Sequence, residues 1–475
     1  MSRGSNAPRK YTGCMVFLIL LMLVFIGGTV FMGWLGYNLV NGDPISREEI
    51  DLPGVFLPEQ DPSEETEETV PETTMPEPEK VVSTATIAST GDVLMHMPVI
   101  ETGRQADGSY NFESIFRYLK PYSESVDFAA ANLETTLAGT DNGYKYSGYP
   151  AFNCPDGIVT SVADAGFDML LTANNHSGDT MASGIIRTVE HVRQSGLVAL
   201  GSQLNGEEPK YQIIDVNGIK IGMVCYTWAY SGDGTKFSLN GLAAVQDEGQ
   251  MNYFVNSNPD KLYREAEQIM AEMKANGAEA TMMFIHWGVE YNTTENALQN
   301  AIAQRLCDMG FDVIVGGHPH VVQPVDLLTS TVDPDHKTVV IYSLGNAVSN
   351  QRTGISDLFP AGYTEDGVLF NVTFSKYSDG TVYLEDVDVI PTWVDLRTTN
   401  GRFYHILPLD ASRMDDWKTL LDLTDGTLNS ATRSYNRTMG IVGEGLEKAK
   451  QYLAEAKDLR EANYLAAVVD MMYAA

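Results

Sequence analysis

Six stretches of this 475-residue chain join an apolar run to an abrupt polar end, and those ends carry the residue types of metal and acid–base chemistry. TATIAST (84–90) runs into Gly91-Asp92, with His96 close behind. VDFAAAN (126–132) ends at Asn132 and is followed by Glu134. FDMLLTA (167–173) gives way to Asn174-Asn175-His176 and then Asp179. ATMMFIH (280–286) ends in His286-Trp287-Gly288 with Glu290 beyond, FDVIVGG (311–317) in His318-Pro319-His320, and TVVIYSL (338–344) in Gly345-Asn346. Carboxylate, imidazole and amide oxygen together suit a borderline divalent ion, Zn, Mn or Fe. Mg and Ca take mostly oxygen ligands and fit the set less well. A cluster this large suggests two ions bridged by a carboxylate, with one ion as the alternative. Each motif alone has a bland reading: a surface His pair, an Asn turn, an Asp cap. Their recurrence at six successive strand ends points to one pocket.

The elements that would position these residues follow from periodicity. Short apolar runs, with IKIGMVCYT (219–227) added, alternate with amphipathic stretches near 111–120, 157–165, 181–195, 259–276 and 295–309. Strand–helix alternation predicts an α/β layered fold. In such sheets the carboxyl ends of the strands line the ligand crevice, which is where the polar clusters fall. Residues 211–226 read as a hairpin around Asn217-Gly218, and 367–390 as another around Ser378-Asp379-Gly380. Beyond 396, the segments 411–424 and 443–473 read as amphipathic helices, a C-terminal extension without evident chemistry. His191 sits on a predicted helix and reads as structural or solvated; His336 and His405 read as surface residues.

The N-terminus differs. No charged residue occurs between Cys14 and Val40, a run long enough for a spanning helix. Arg3, Arg9 and Lys10 precede it, and Asp43, Glu48, Glu49 and Asp51 follow, so the positive-inside rule places the N-terminus in the cytoplasm and the rest outside. The alternative, a cleaved signal peptide, would have a shorter apolar core and a small-residue cleavage site. Pro, Glu and Thr dominate the stretch up to Lys80, a composition that predicts an extended, disordered tether. The expected divisions are a cytoplasmic tail (1–13), a membrane anchor (14–40), an acidic linker (41–80), the α/β domain (81–395) and the helical extension (396–475).

The formal charge of −32, from 63 acidic against 31 basic residues, argues against nucleic-acid binding. It would also repel an anionic polymer, unless a bound divalent metal offset it locally. Of the four cysteines, Cys14 lies at the edge of the apolar run. Cys154, Cys225 and Cys307 cannot all pair with one another, and Cys225 and Cys307 read as buried thiols.

The pieces TGDVLM (90–95), ANLET (131–135), LTANNHSGD (171–179), FIHWGVEY (284–291), VIVGGHPHVVQP (313–324) and YSLGN (342–346) resemble the CapA or PgsA family of poly-γ-glutamate capsule proteins. That family is similar to calcineurin-like metallophosphoesterases, which implies a four-layer α/β/β/α sandwich. The resemblance also implies roles. Asp92 and His320 would bind a first metal, and Glu134 would occupy the bridging position. Asn175, His286 and His318 would bind a second metal, with His176 as the acid or transition-state stabiliser. His96, Asp179, Glu290 and Asn346 are additional candidates. Two departures bear on the first metal. Asp92-Val93-Leu94 lacks the Asp-x-His of the phosphoesterase pattern, and the bridging position carries Glu instead of Asp.

Two functions from different classes follow. One is a membrane-anchored, metal-dependent hydrolase or transferase acting on poly-γ-glutamate or another envelope polymer, with the cleaved bond left open between amide and phosphoester. The other is a non-catalytic accessory of membrane-bound capsule polymer synthase subunits.

Overall fold

The computed structural model describes residues 80–474, apart from 242, 243, 360 and 400. The predicted tail, the anchor and all of the linker except Lys80 lie outside the described residues. Among the described residues, no helix is long and apolar enough to cross a membrane.

In chain order the elements are β1 (Val81–Val93), β2 (Phe128–Leu133), α1 (Gly157–Asp164), β3 (Met169–Leu171), α2 (Met181–Gln194) and β4 (Val198–Leu200). A hairpin, β5 (Tyr211–Val216) and β6 (Ile219–Ala229), turns through Asn217 and Gly218, whose φ angles of 54° and 82° explain the Asn-Gly pair. A small three-stranded flap follows: β7 (Ser231–Gly232), β8 (Lys236–Ser238) and β9 (Val245–Gln246). Next come β10 (Tyr253–Val255), α3 (Asp260–Ala275), β11 (Ala280–His286), α4 (Ala297–Asp308), β12 (Val313–Gly317), β13 (Val325–Thr329), β14 (Lys337–Ile341) and β15 (Asn346–Val348). The chain ends with β16 (Asp366–Tyr377), β17 (Val382–Arg397), β18 (Phe403–Pro408) and the long helix α5 (Asp425–Ala474).

The first sheet has the order β18-β17-β16-β1-β2-β3-β4, with β15 beside β1. The second has the order β10-β6-β11-β12-β14-β13, with β5 beside β6. Period-two alternation decides how they stack. In β2, Phe128 and Ala130 join one core cluster while Ala129 and Ala131 join another; in β11, Met282 and Phe284 part in the same way from Met283 and Ile285. The cluster shared by Phe128, Ala130, Met282 and Phe284 lies between the two sheets. The outer cluster of the first sheet holds Ile158 and Val162 of α1 and Val189 of α2, and that of the second holds Ala266 of α3 and Ile302 of α4. The layers are therefore helices, sheet, sheet, helices, a mixed α/β fold.

Strands β1, β2 and β3 run parallel to one another, as do β6, β11, β12 and β14. The parallel runs bring the polar strand ends of each sheet to one edge. At Thr90/Asp92 the pairing of β1 with β2 slips by one residue, and Gly91 sits at the slip. A Cβ on Gly91 would lie 1.9 Å from the Gly345 carbonyl oxygen, so only glycine fits.

Several local expectations change. The helix predicted over 111–120 is two short helices, Glu113–Phe116 and Lys120–Ser123, because Pro121 restarts the helix at its first turn. The sheet also continues past the predicted hairpin, since β18 pairs with β17. His405 lies on that strand and is buried, with its Nδ1 donating to the Ser114 carbonyl (2.7 Å), so it is not a surface residue. His336 is half-buried and bonded to the Phe311 carbonyl. Residues 411–424 form a 3₁₀ turn and one short helix in place of an amphipathic helix. The terminal helix begins at Asp425 and not near 443, behind Thr424, whose Oγ1 accepts the Thr427 N–H. Its stripe Val442, Leu446, Ala449 and Leu453 packs into the inter-sheet core. Gly445 allows close approach there, since a Cβ would collide with the Val325 carbonyl. Asp366 at the start of β16 accepts from Ser434 (2.6 Å) and from two nitrogens of Arg437 (2.7 Å each), which clamps the helix to the sheet.

Candidate metal centre

Asp92, Glu134, Asn175, His176, His286, His318 and His320 are all buried. Five strands, β1, β2, β3, β11 and β12, deliver them at or just beyond their ends to one place above the sandwich. The pairing of β1 sets Asp92 opposite Asn132 and Asn346. Asn132 is the hub of the pocket: its Nδ2 donates to Asp92 Oδ1 (2.7 Å) and lies 3.4 Å from His286 Nδ1, while its Oδ1 accepts from Asn174 (3.1 Å). The two sheets are thus tied at the site by side chains of β1, β2 and β11.

Two groups of potential ligands stand out. Asp92, Glu134 and His320 form one, and Glu134, His286 and His318 the other; within each, the ligand atoms lie within 4.8 Å of one another. Glu134 belongs to both. Asn175 joins the second group through its Oδ1, 2.8 Å from His286 Nε2. His320 Nδ1 lies 3.1 Å from Asp92 Oδ2 and 3.2 Å from Asn346 Oδ1, which leaves Nε2 on the Glu134 side, 3.8 Å from Oε1.

Neither Glu134 oxygen has a hydrogen-bond partner, nor does His318 Nδ1. Native folds rarely bury such atoms unpaired, and a carboxylate costs most. Three orphaned ligand atoms in one buried cluster of carboxylates and imidazoles are what a divalent cation would satisfy, so these residues can hold a metal.

The electrostatics agree. Burial, then the charges of Asp92 and Glu290, a hydrogen bond that the protonated form shares with Asp92, and the charge of Asp179, push the Glu134 carboxyl well above the usual range. Burial also raises Asp92, but the hydrogen bond and charge of His320, with His286 and Asn132, outweigh it and hold Asp92 below the usual range. Burial lowers His320, while the Asp92 hydrogen bond and charge, with Glu290 and Asn346, raise it overall. Burial and the neighbouring histidines pull His318 well down; burial brings His286 to about 3, against the raising charge of Asp92. Neutral imidazoles are the form that ligates metals.

His176 stands beside the ligand groups with its Nδ1 2.8 Å from Asp179 Oδ2, and Phe152 packs edge-on against its ring at 4.5 Å. The same Asp179 oxygen accepts the Phe152 N–H at 2.6 Å. Asp179 thus orients His176, as Asn346 orients His320. His96 and Glu290 are not part of either ligand group. The chain turns into the helix Met97–Ile100 straight after His96, whose Nδ1 accepts the Asn350 N–H (3.3 Å); burial brings this imidazole to about 4. Glu290 is exposed.

The loop carrying the two histidines is strained: φ is +99° at His318 and +56° at His320. The preceding Gly317 lies flat against the site, where a Cβ would stand 3.3 Å from Asp92 Oδ1. Residues outside the predicted site also contribute. Asn132 and Asn174 lie in motifs already singled out, beside the predicted ligands. Trp228 packs its ring 5.3 Å from that of His318, and Asn240 reaches Asp179 from the flap; no motif marks either.

The family model described as bacterial capsule synthesis protein PGA_cap matches residues 86–351, a span holding every residue of the two ligand groups. Over 354 residues the chain is 27% identical to the capsule biosynthesis protein CapA of Bacillus anthracis, covering 72% of this chain and 78% of that one. It is 28% identical over 303 residues to the PGA biosynthesis protein CapA of Bacillus subtilis (strain 168), covering 63% of this chain and 70% of that one. Among solved structures, a putative 5′-nucleotidase from Staphylococcus aureus in complex with alpha-ketoglutarate aligns with a TM-score of 0.38 and 14% identity, over 72% of this chain and 58% of that one. The protein TT1561 of Thermus thermophilus aligns with a TM-score of 0.32 and 9% identity, over 60% of this chain and 94% of that one.

Proposed function

The chain belongs to the PGA_cap family of bacterial capsule synthesis proteins, and from that premise we propose that it is a metal-dependent hydrolase or transferase acting on an anionic cell-envelope polymer, poly-γ-glutamate or a relative. The single observation that carries this reading is the buried Glu134, shared by two ligand groups and without a hydrogen bond to either oxygen. Asp92 and His320 would hold one ion, and Asn175, His286 and His318 the other, with Glu134 between them. Zn, Mn or Fe suits this mixed nitrogen and oxygen set. Bound there, such ions would lower the pKa of water toward neutrality and polarise the scissile group.

The chain's own residues supply the rest. Asp179 accepts the Nδ1 proton of His176 and so leaves Nε2 to give a proton to the leaving group. Burial excludes bulk water and strengthens every charge interaction in the pocket. The N-terminal apolar run would hold the domain outside the cell membrane, beside the membrane-bound subunits that make the polymer.

The test uses the full chain. Bound metals are measured by elemental analysis, and turnover is assayed on a generic phosphodiester and on poly-γ-glutamate. His318→Ala should lose metal; His176→Ala should keep metal and lose turnover. Turnover untouched by both substitutions would end this reading. Metal without turnover on any substrate would favour the accessory role.

A further inference from the structure

We propose that the phenol of Tyr291 is a binding residue of this centre, donating a hydrogen bond to an anionic oxygen of the substrate's reacting group. This rests on the reading of the centre as a metal site for oxyanionic substrates.

Tyr291 has φ of +66°, a conformation that bulky L residues rarely adopt. Its N–H donates to the Pro319 carbonyl (2.8 Å), so the residue is held by the loop that presents His318 and His320. The ring lies half-buried, 6.2 Å from that of His320, and Phe359 meets it edge-on at 5.4 Å. Packing explains the ring. It does not explain the treatment of the hydroxyl.

Gln351 Nε2 donates to the Tyr291 oxygen (3.3 Å). Gln351 Oε1 in turn accepts from Asn346 Nδ2 (3.0 Å), and Asn346 Oδ1 meets His320 Nδ1 (3.2 Å). Two amide side chains, Asn346 and Gln351, therefore link a proposed ligand to the phenol. An oxygen that already accepts from Gln351 is left to donate with its own proton. The carboxylate of Glu290 interacts with that hydroxyl, and because it is exposed it can swing into water when substrate arrives. A neutral donor also suits the place: it can bind an anionic oxygen without repelling bound cations, as a lysine would.

Tyr291→Phe removes the hydroxyl and keeps the ring on His320 and Phe359. The full chain, wild type and variant, is loaded with metal and titrated with inorganic phosphate by calorimetry, with metal content and melting temperature measured on the same samples. We expect Y291F to weaken phosphate binding about tenfold, the effect of losing one hydrogen bond to a charged group, with metal content and melting temperature unchanged. Equal affinity in the two metal-loaded proteins would overturn the role of Tyr291 and leave the metal centre standing. A metal-loaded wild type that binds no phosphate would overturn it too. A chain that takes up no metal would sink the parent reading and this one with it.

Discussion

Replacing Glu134 by Leu should change the sign of its effect on stability with metal. Glu134 is fully buried and, as a carboxylate, finds no hydrogen-bond donor at either oxygen. An unsatisfied buried polar group costs about 1–3 kcal/mol. Removing it should therefore stabilise the fold without metal by roughly that amount, a rise in Tm of about 1–4 °C for a domain of this size. With metal the order should invert. An ion that binds only the folded state at a hundred times its Kd adds about 2.7 kcal/mol, and Glu134→Leu removes the one residue common to both ligand groups. Calorimetry of wild type and variant in chelator, then in excess Zn or Mn, gives four melting temperatures. If the variant melts lower than wild type in chelator, or gains as much from metal, the buried carboxylate is not a metal ligand and the reasoning fails.

The same carboxyl sets a pH dependence. Its folded pKa is raised above the unfolded value, so the folded state binds more protons between the two. Glu134 thus contributes stability that is full below the unfolded pKa and is lost as pH rises through the folded one. Metal reverses the preference, because only the ionised form ligates. His286, held near 3, and His318, held well down, are already neutral and have no proton to lose. Glu134, and His320 with its raised pKa, do. Metal uptake should release about one to two protons, and affinity should fall about ten- to a hundredfold per pH unit where Glu134 and His320 are protonated. Titrations in buffers of different ionisation enthalpy count those protons.

Gly91→Ala should abolish metal uptake and lower Tm by several degrees, because its Cβ would strike the Gly345 carbonyl and shift Asp92; calorimetry and metal analysis would show both losses. Arg437→Ala should cost about 3–5 kcal/mol in denaturant unfolding, since it strands the buried Asp366 carboxylate. Asp179→Asn should leave metal content unchanged and reduce any turnover to near that of His176→Ala, because the Nδ1 partner of His176 is weakened.

The parallel strands and the pocket at their ends were legible because period-two alternation marks a strand and a polar cluster after it marks the crevice. Asp92, Glu134, His286, His318 and His320 sit where those patterns end. The terminal region was less legible. Glycines at 440, 443 and 445 weaken a helix locally, so the pattern before them does not read as helix, yet Gly445 is what lets α5 press on Val325. His405 looked like surface because β18 is short and its partner β17 lies outside the helix–strand alternation. Asn240 and Trp228 carry no local signal, since the flap and β6 meet the site only through tertiary contact.

The positions where local rules fail also locate the site. His318, His320 and Tyr291 adopt positive φ, although none is a glycine, and Tyr291 is tied to the loop between the two histidines by its bond to Pro319. Backbone strain of this kind costs of order 1–3 kcal/mol per residue and persists only where the surroundings enforce it. Here the surroundings include a carboxylate without a hydrogen-bond donor and a run of amides that orients imidazoles. Folding alone gains nothing from either. Strain and orphaned polar atoms in one buried place are both stabilised by the same addition, a cation among the ligand atoms, and that common remedy is the physical reason to read the pocket as a metal centre and not as a polar core.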